Sequence, residues 1–162
     1  GITSIETKRF NLYALIEEVM GLLEIRAQEK NIELLFDKPI SLDELWVLAD
    51  RKRISQVITN LIVNSLKYGV SGGTTEVSIS VLNKQKILVR IIDNGRGIEE
   101  EHIPRLFERF YRVDKARNRD EGGSGLGLAI VKHLIEAHQE KIYVQSTFGV
   151  GSEFSFSLSK TK

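Results

Sequence analysis

Four glycines in six positions open the stretch "EGGSGLGLAIVKHLIEAH" (121–138), which then continues as a good helix. Few features restrict a fold more. A glycine-rich helix start exposes backbone N–H groups at the positive end of the helix dipole, where an anion is favoured. Two familiar phosphate loops do not fit. A Walker A loop needs Lys and then Ser/Thr after its last glycine, but Gly127 is followed by Leu128 and Ala129. A dinucleotide fingerprint begun at Gly123 and Gly125 calls for Gly or Ala where Leu128 stands. The rest of the chain has to complete the site.

The 162 residues suffice for one domain with a real core. A hydrophobic content of 41% and a charged content of 28% are those of a globular protein. With 23 Lys and Arg against 22 Asp and Glu, the charge balance does not support nucleic acid as a partner. The absence of cysteine excludes disulfides, thiolate zinc sites and a Cys nucleophile. No apolar run approaches the ~20 residues of a membrane-spanning helix. The opening "GITSIETKRF", without an initiator Met, reads as part of a longer protein.

Apolar positions from Leu12 to Ile25 recur close to every 3.6 residues, predicting a first helix with Asn11 as N-cap. "IELLF" (32–36) and "LWVLA" (45–49) read as strands around a turn. Asp50 caps a second helix that ends near Gly69. "TEVSISVL" and "KILVRIID" flank "NKQ" as a hairpin. A charged, weakly periodic segment follows from Gly95 to Ser124, with a short helix expected around 100–110; such a segment inside a compact domain suggests a lid. The glycine-started helix (125–138) and strands 141–146 and 152–159 around "TFGVG" complete the chain. Helices segregated against a mostly antiparallel sheet predict an α/β fold, a two-layer sandwich.

Three constellations could carry chemistry. On the second helix, Asn60 and Asn64 share a face with Lys67 and Tyr68, opposite the apolar Ile54, Val57, Ile58 and Leu61. That face is either solvated or a site in which a carboxamide oxygen meets Mg²⁺, Lys67 neutralises phosphate and Tyr68 offers a stacking ring. In "IIDNGRGI", Asp93 ends an apolar strand and Gly95 and Gly97 allow close approach of backbone. It is either a hairpin turn or a carboxylate placed to accept from the amino group of adenine. Across 105–119 six basic side chains face two acidic ones, an excess suited to polyphosphate if not simply solvated. Phe107, Phe110 and Tyr111 there imply that part of the loop packs.

In order, "QVITNLIVNSLKYG", "DNGRGI", "LFERFYR" and "GGSGLGLAIVKHL" resemble the N, G1, F and G2 boxes of the ATP-binding catalytic domain of sensor histidine kinases, from about Phe10 to Leu158. That domain belongs to the superfamily shared with gyrase, Hsp90 and MutL. The resemblance implies a single α/β sandwich over 10–160, a lid over about 97–124, and a linker tail over 1–9. It also implies ATP and Mg²⁺ as ligands. Asn64 would coordinate Mg²⁺, Asn60 would stand near the γ-phosphate, and Lys67 and Arg112 would reach phosphate. Tyr68 and Tyr111 would line the nucleotide, and Asp93 would read adenine in a pocket shaped by Gly95, Gly97 and Ile98. Gly123, Ser124, Gly125, Leu126, Gly127 and Leu128 would hinge the lid and flank the base, and Ser152 would place a hydroxyl beside Asp93. Gln139 and Glu140 stand where relatives commonly carry glycines, which puts the usual left-handed helix cap in question.

A phosphoacceptor histidine is not evident: His102 is followed by Ile103 and Pro104, and His133 and His138 lie on the glycine-started helix. The resemblance therefore implies transfer of the γ-phosphoryl group to a His on a separate dimerisation domain, with a response regulator downstream. It further implies a homodimeric parent anchored in the bacterial inner membrane, with this portion a monomeric cytoplasmic domain. An ATP hydrolase of the gyrase, Hsp90 or MutL kind would carry Glu where Asn60 stands, and an amide is a poor general base. A degenerate docking module would have lost motif residues, and the key ones are present.

Overall fold

A computed structural model describes residues 4–39, 44–113 and 127–161. The elements run β1 (Lys8–Asn11), α1 (Leu12–Glu29), β2 (Glu33–Asp37), β3 (Trp46–Ala49), α2 (Arg51–Tyr68), β4 (Thr74–Val81), β5 (Lys86–Asp93), a 3₁₀ helix (Glu100–Arg105), α3 (Gly127–Ala137), β6 (Ile142–Thr147) and β7 (Gly151–Lys160). The seven strands form one mixed sheet in the order β1-β3-β7-β5-β4-β2, with β6 also paired to β7. Every pair is antiparallel except β2 with β4. α2 packs between α1 and α3, so three helices form the second layer of the expected sandwich.

The core lies between that helical layer and one face of the sheet. Ile54, Val57, Ile58, Leu61 and Ile62 on α2 are fully buried, in line with the apolar face read from their spacing. Each such side chain contributes roughly 1.5–3 kcal/mol on leaving water. Opposite them stand Val77, Val89, Ile91, Phe154 and Phe156 from the central strands. Among the described residues, no helix is long and apolar enough to cross a membrane.

Both expected N-caps form. Asn11 Oδ1 accepts from Ala14 N–H at 3.3 Å, and Asp50 Oδ1 accepts from Arg53 N–H at 3.2 Å. α1 ends in a Schellman motif: Asn31 takes φ 56°, while Ile32 N–H reaches Ala27 C=O at 2.9 Å. α3 ends the same way without glycine. Gln139 adopts φ 60°, and Glu140 N–H donates to Ile135 C=O at 3.1 Å. The doubt raised by Gln139 and Glu140 is therefore removed. The cap is kept, and Glu140 becomes a buried anchor accepting from Lys86 Nζ at 2.5 Å, Ser157 Oγ at 2.8 Å and Ser159 Oγ at 3.0 Å.

Three expectations need correction. β2 and β3 are not partners around a turn: β2 runs parallel to β4 at one edge, and β3 lies between β1 and β7 near the other. Strand β1 was not expected, because "KRFN" buries only Phe10 and carries no alternation. The helix predicted around 100–110 is a 3₁₀ turn confined to Glu100–Arg105 with Pro104 inside it, followed by turns in which Phe110 takes φ 64°. Phe107 packs edge-on against Phe154 at 6.2 Å between ring centroids, whereas Phe110 is largely exposed.

Candidate functional site

α2 brings Asn60, Asn64, Lys67 and Tyr68 to the wall of one cavity, as their spacing implied. Gly97 and Ile98 enter from the loop after β5. Tyr111 and Arg112 come from the turns beyond the 3₁₀ helix, and Gly127 and Leu128 from the first turn of α3. Val63, Leu106 and Val113 supply further apolar lining. Among the described residues, the lining holds two cations and no carboxylate, an arrangement that favours an anionic ligand.

Several contacts fix these groups. Asn60 Nδ2 donates to Gly127 C=O at 3.4 Å, tying α2 to the start of α3. The Tyr68 ring receives Lys67 Nζ at 5.4 Å and the Arg96 guanidinium at 5.3 Å. Tyr111 hydroxyl is hydrogen-bonded to His102 Nδ1, and Arg105 lies over its ring at 4.5 Å. The 3₁₀ helix thereby holds Tyr111, and with it the adjoining Arg112, at the cavity.

Gly97 is required by backbone geometry. It takes φ 74°, and a Cβ there would stand 2.2 Å from Thr147 C=O. The β6–β7 turn is locked onto this loop by Gly149 N–H to Arg96 C=O at 2.6 Å and by Ile98 N–H to Ser146 Oγ at 2.7 Å. Gly95 is needed for space: its Cβ would lie 2.5 Å from Tyr68 C=O.

Asp93, Gly95 and Ser152 do not line the cavity. Asp93 ends β5 between two register partners, Thr75 on β4 and Ser152 on β7. Its Oδ1 accepts from Gly95 N–H at 2.9 Å and its Oδ2 from Ser65 Oγ at 3.1 Å. Burial pushes this carboxyl above the usual range, opposed by Gly95 N–H, the Ser65 hydroxyl and Ser152 N–H. The Ser152 hydroxyl itself pairs with Ser146 Oγ at 2.8 Å.

Gly123, Ser124, Gly125 and Leu126 lie outside the described residues, as does the expected lid beyond Val113. Ser65, Thr75 and Ser146, which bond to Asp93, to Ser65 and to Ile98 N–H respectively, escape a motif-based reading. A signal for two of them exists: Ser65 falls in phase with the buried Ile58, Leu61 and Ile62, and Thr75 in phase with the buried Val77. A hydroxyl at a core position calls for a partner. His133 and His138 are not among the lining residues: His138 Nε2 accepts from Asp50 N–H at 3.0 Å and its Nδ1 donates to Leu134 C=O at 2.7 Å, while His133 faces outward on α3.

Residues 49–162 match the family of histidine kinase-, DNA gyrase B- and HSP90-like ATPases. The sensor histidine kinase WalK of Bacillus subtilis (strain 168) is 40% identical over 132 residues, covering 81% of this chain and 21% of its own length. The catalytic domain of the histidine kinase ThkA superposes with a TM-score of 0.83 at 31% identity, with 97% of each chain covered. ThkA in complex with the response regulator TrrA matches with a TM-score of 0.78 at 30% identity, over 97% of this chain and 42% of that one. Full-length ShkA in complex with AMPPNP matches with a TM-score of 0.84 at 27% identity, over 99% of this chain and 33% of that one. The chain spans between 21% and 33% of the length of the curated relatives matched first. By this family match, and by the order and placement of its motifs, the chain belongs to the histidine kinase-, DNA gyrase B- and HSP90-like ATPases.

Proposed function

We propose that this chain is the MgATP-binding catalytic domain of a sensor histidine kinase, which hands the γ-phosphoryl group of ATP to a histidine on a separate dimerisation domain. One observation carries the reading: two carboxamides, two cations and two aromatic rings converge on a single cavity that, among the described residues, holds no carboxylate. Such a lining suits a polyphosphate whose own oxygens complete the coordination of a metal ion. The AMPPNP complex of ShkA supports the ligand class, and the ThkA–TrrA complex supports a response regulator as the downstream partner.

The donor set fits Mg²⁺. Asn64 offers a hard, neutral oxygen, and the ion when bound lowers the charge repulsion between phosphates. Asn60 stands one turn earlier on α2, against the start of α3, where it would meet the terminal phosphate. Lys67 and Arg112 would steady the phosphates electrostatically. Tyr68 and Tyr111 would flank the nucleotide, and Asp93 would accept from the adenine amino group. Gly123, Ser124, Gly125 and Leu126 would complete the lid together with Gly127 and Leu128, and Ser152 N–H helps hold Asp93. Phosphoryl transfer asks a protein mainly for positioning and charge stabilisation, which these groups supply. Asn60 lacks the basicity to activate water, so hydrolysis by the isolated domain is slow.

The reading extends to the parent: a homodimer with this domain at the cytoplasmic side of the bacterial inner membrane, the domain alone being monomeric. Incubation with γ-labelled ATP tests the assignment. The isolated domain stays unlabelled, and label appears on an added dimerisation domain from the same parent. Stable label on this chain alone, or rapid release of free phosphate, would overturn it.

A further inference from the structure

Two buried hydroxyls beside Asp93 have no place in the phosphate chemistry. Ser65 follows Asn64 on α2 and is 2% exposed; Thr75 on β4 is 0% exposed. Their oxygens are 2.7 Å apart, and Ser65 Oγ donates to Asp93 Oδ2 at 3.1 Å. Each hydroxyl has a single proton. With the Ser65 proton directed to the carboxylate, the bond between the hydroxyls must use the proton of Thr75. The chain of donation therefore has one direction, from Thr75 to Ser65 to Asp93.

The arrangement is unfavourable for packing alone. Ser65 occupies a core position of α2 and Thr75 a core position of β4, where Ala and Val would fill similar volumes without desolvating a hydroxyl. What the hydroxyls obtain is control of one carboxylate. Gly95 N–H fixes Oδ1 at 2.9 Å, Ser65 fixes Oδ2, and the carboxylate plane is set from both ends. With Ser152 N–H as a further donor, the carboxylate still keeps a lone pair for a ligand. A carboxylate held in this state accepts from an amino group and repels a carbonyl oxygen at the same point.

We propose that Ser65, backed by Thr75, is a specificity-determining positioning residue: the pair holds Asp93 as a pure acceptor, and so sets a preference for 6-amino over 6-oxo purine nucleotides. The proposal rests on Asp93 being the group that reads the base. It adds a relay that neither the N box nor the G1 box contains as a motif.

ATP and ITP differ at the 6-substituent, amino or oxo, with N1 an acceptor in ATP and an N–H in ITP, so their affinities are compared by displacement of a fluorescent nucleotide. The readout is the ratio of the two affinities within each protein, which a general loss of stability does not move. Wild type favours ATP by at least about tenfold, the scale of one hydrogen bond to a charged group. Ser65→Ala lowers that ratio about five- to tenfold, and Thr75→Val lowers it less, in the same direction. The double variant matches Ser65→Ala, because Thr75 acts only through Ser65. Asp93→Ala abolishes the preference. An unchanged ratio in Ser65→Ala, with the preference lost in Asp93→Ala, overturns the relay and leaves the base-reading role of Asp93 standing. Additive effects of Ser65→Ala and Thr75→Val overturn the one-way chain. An unchanged ratio in Asp93→Ala overturns the reading of Asp93, and the relay with it.

Discussion

Asp50 donates its backbone N–H to His138 Nε2 at 3.0 Å, joining the N-cap of α2 to the end of α3 across 88 residues of sequence. The same Asp50 accepts from Glu6 N–H at 2.9 Å and from Arg53 N–H at 3.2 Å through its carboxylate. The segment preceding β1, the helix that carries the asparagines and the helix that starts at the cavity therefore meet at one residue.

Asp50 yields a prediction about pH. Burial pushes its carboxyl up, but the N–H groups of Glu6 and Arg53 and the Arg53 charge outweigh this and hold it below the usual range. A folded-state value depressed in this way contributes stability above the unfolded value, ~3.9, that is lost as pH falls through the folded value. Asp50→Ala therefore costs about 1–2 kcal/mol in urea denaturation at neutral pH, the scale of a lost N-cap. The difference from wild type narrows as the titration is repeated at progressively lower pH, from about 4 downward.

Asp93 behaves with the opposite sign. Burial raises its carboxyl, so the stability it contributes is complete below the unfolded value and is lost as pH rises through the folded one. At neutral pH the ionised group opposes folding. Asp93→Asn is expected to raise the melting temperature at neutral pH, with a gain that shrinks toward acid, while ATP affinity falls at least tenfold. Melting curves across pH, paired with nucleotide titration, check both halves.

Gly97→Ala tests the close approach of the two loops. A left-handed φ together with a Cβ 2.2 Å from Thr147 C=O forces the loops apart, at a cost of about 1–3 kcal/mol. Nucleotide affinity falls with stability, because Gly97 and Ile98 line the cavity. Gly21→Ala on α1 is the control: among the described residues a Cβ there meets nothing within 4 Å, and affinity for nucleotide should change little.

Glu140 separates fold from function. Its side chain is 5% exposed and its partner Lys86 35%. Glu140→Ala removes the acceptor of Lys86, Ser157 and Ser159 together. The loss should be about 2–4 kcal/mol in denaturant, toward the lower end because Lys86 can turn to solvent. ATP affinity measured well below the melting temperature should stay within a factor of two or so of wild type.

Much of this architecture can be read in the sequence, for identifiable reasons. α1 and α2 declare themselves through period and caps: Asn11 and Asp50 act where expected, and the spacing of Asn60, Asn64 and Lys67 brings them to one wall. Elsewhere local pattern gives no guide. β1 pairs through "KRFN", whose backbone bonds need no alternation, and the separation of β2 from β3 is a long-range choice. Gln139 takes the left-handed conformation that its type disfavours, because the Schellman bonds and the anchoring of Glu140 over-determine the turn. Ser65 and Thr75 become site residues only when β4 and β5 set Thr75 beside Asp93.

The central claim, an MgATP site built on α2, is tested most directly by calorimetric titration of the domain with ATP, in Mg²⁺ and in chelator, for wild type and Asn64→Ala. Wild type should bind one ATP per chain, more tightly with Mg²⁺ by about tenfold or more. Asn64→Ala should lose that Mg²⁺-dependent gain while keeping its affinity in chelator. No saturable binding by wild type, or a gain from Mg²⁺ that survives in Asn64→Ala, would contradict the account.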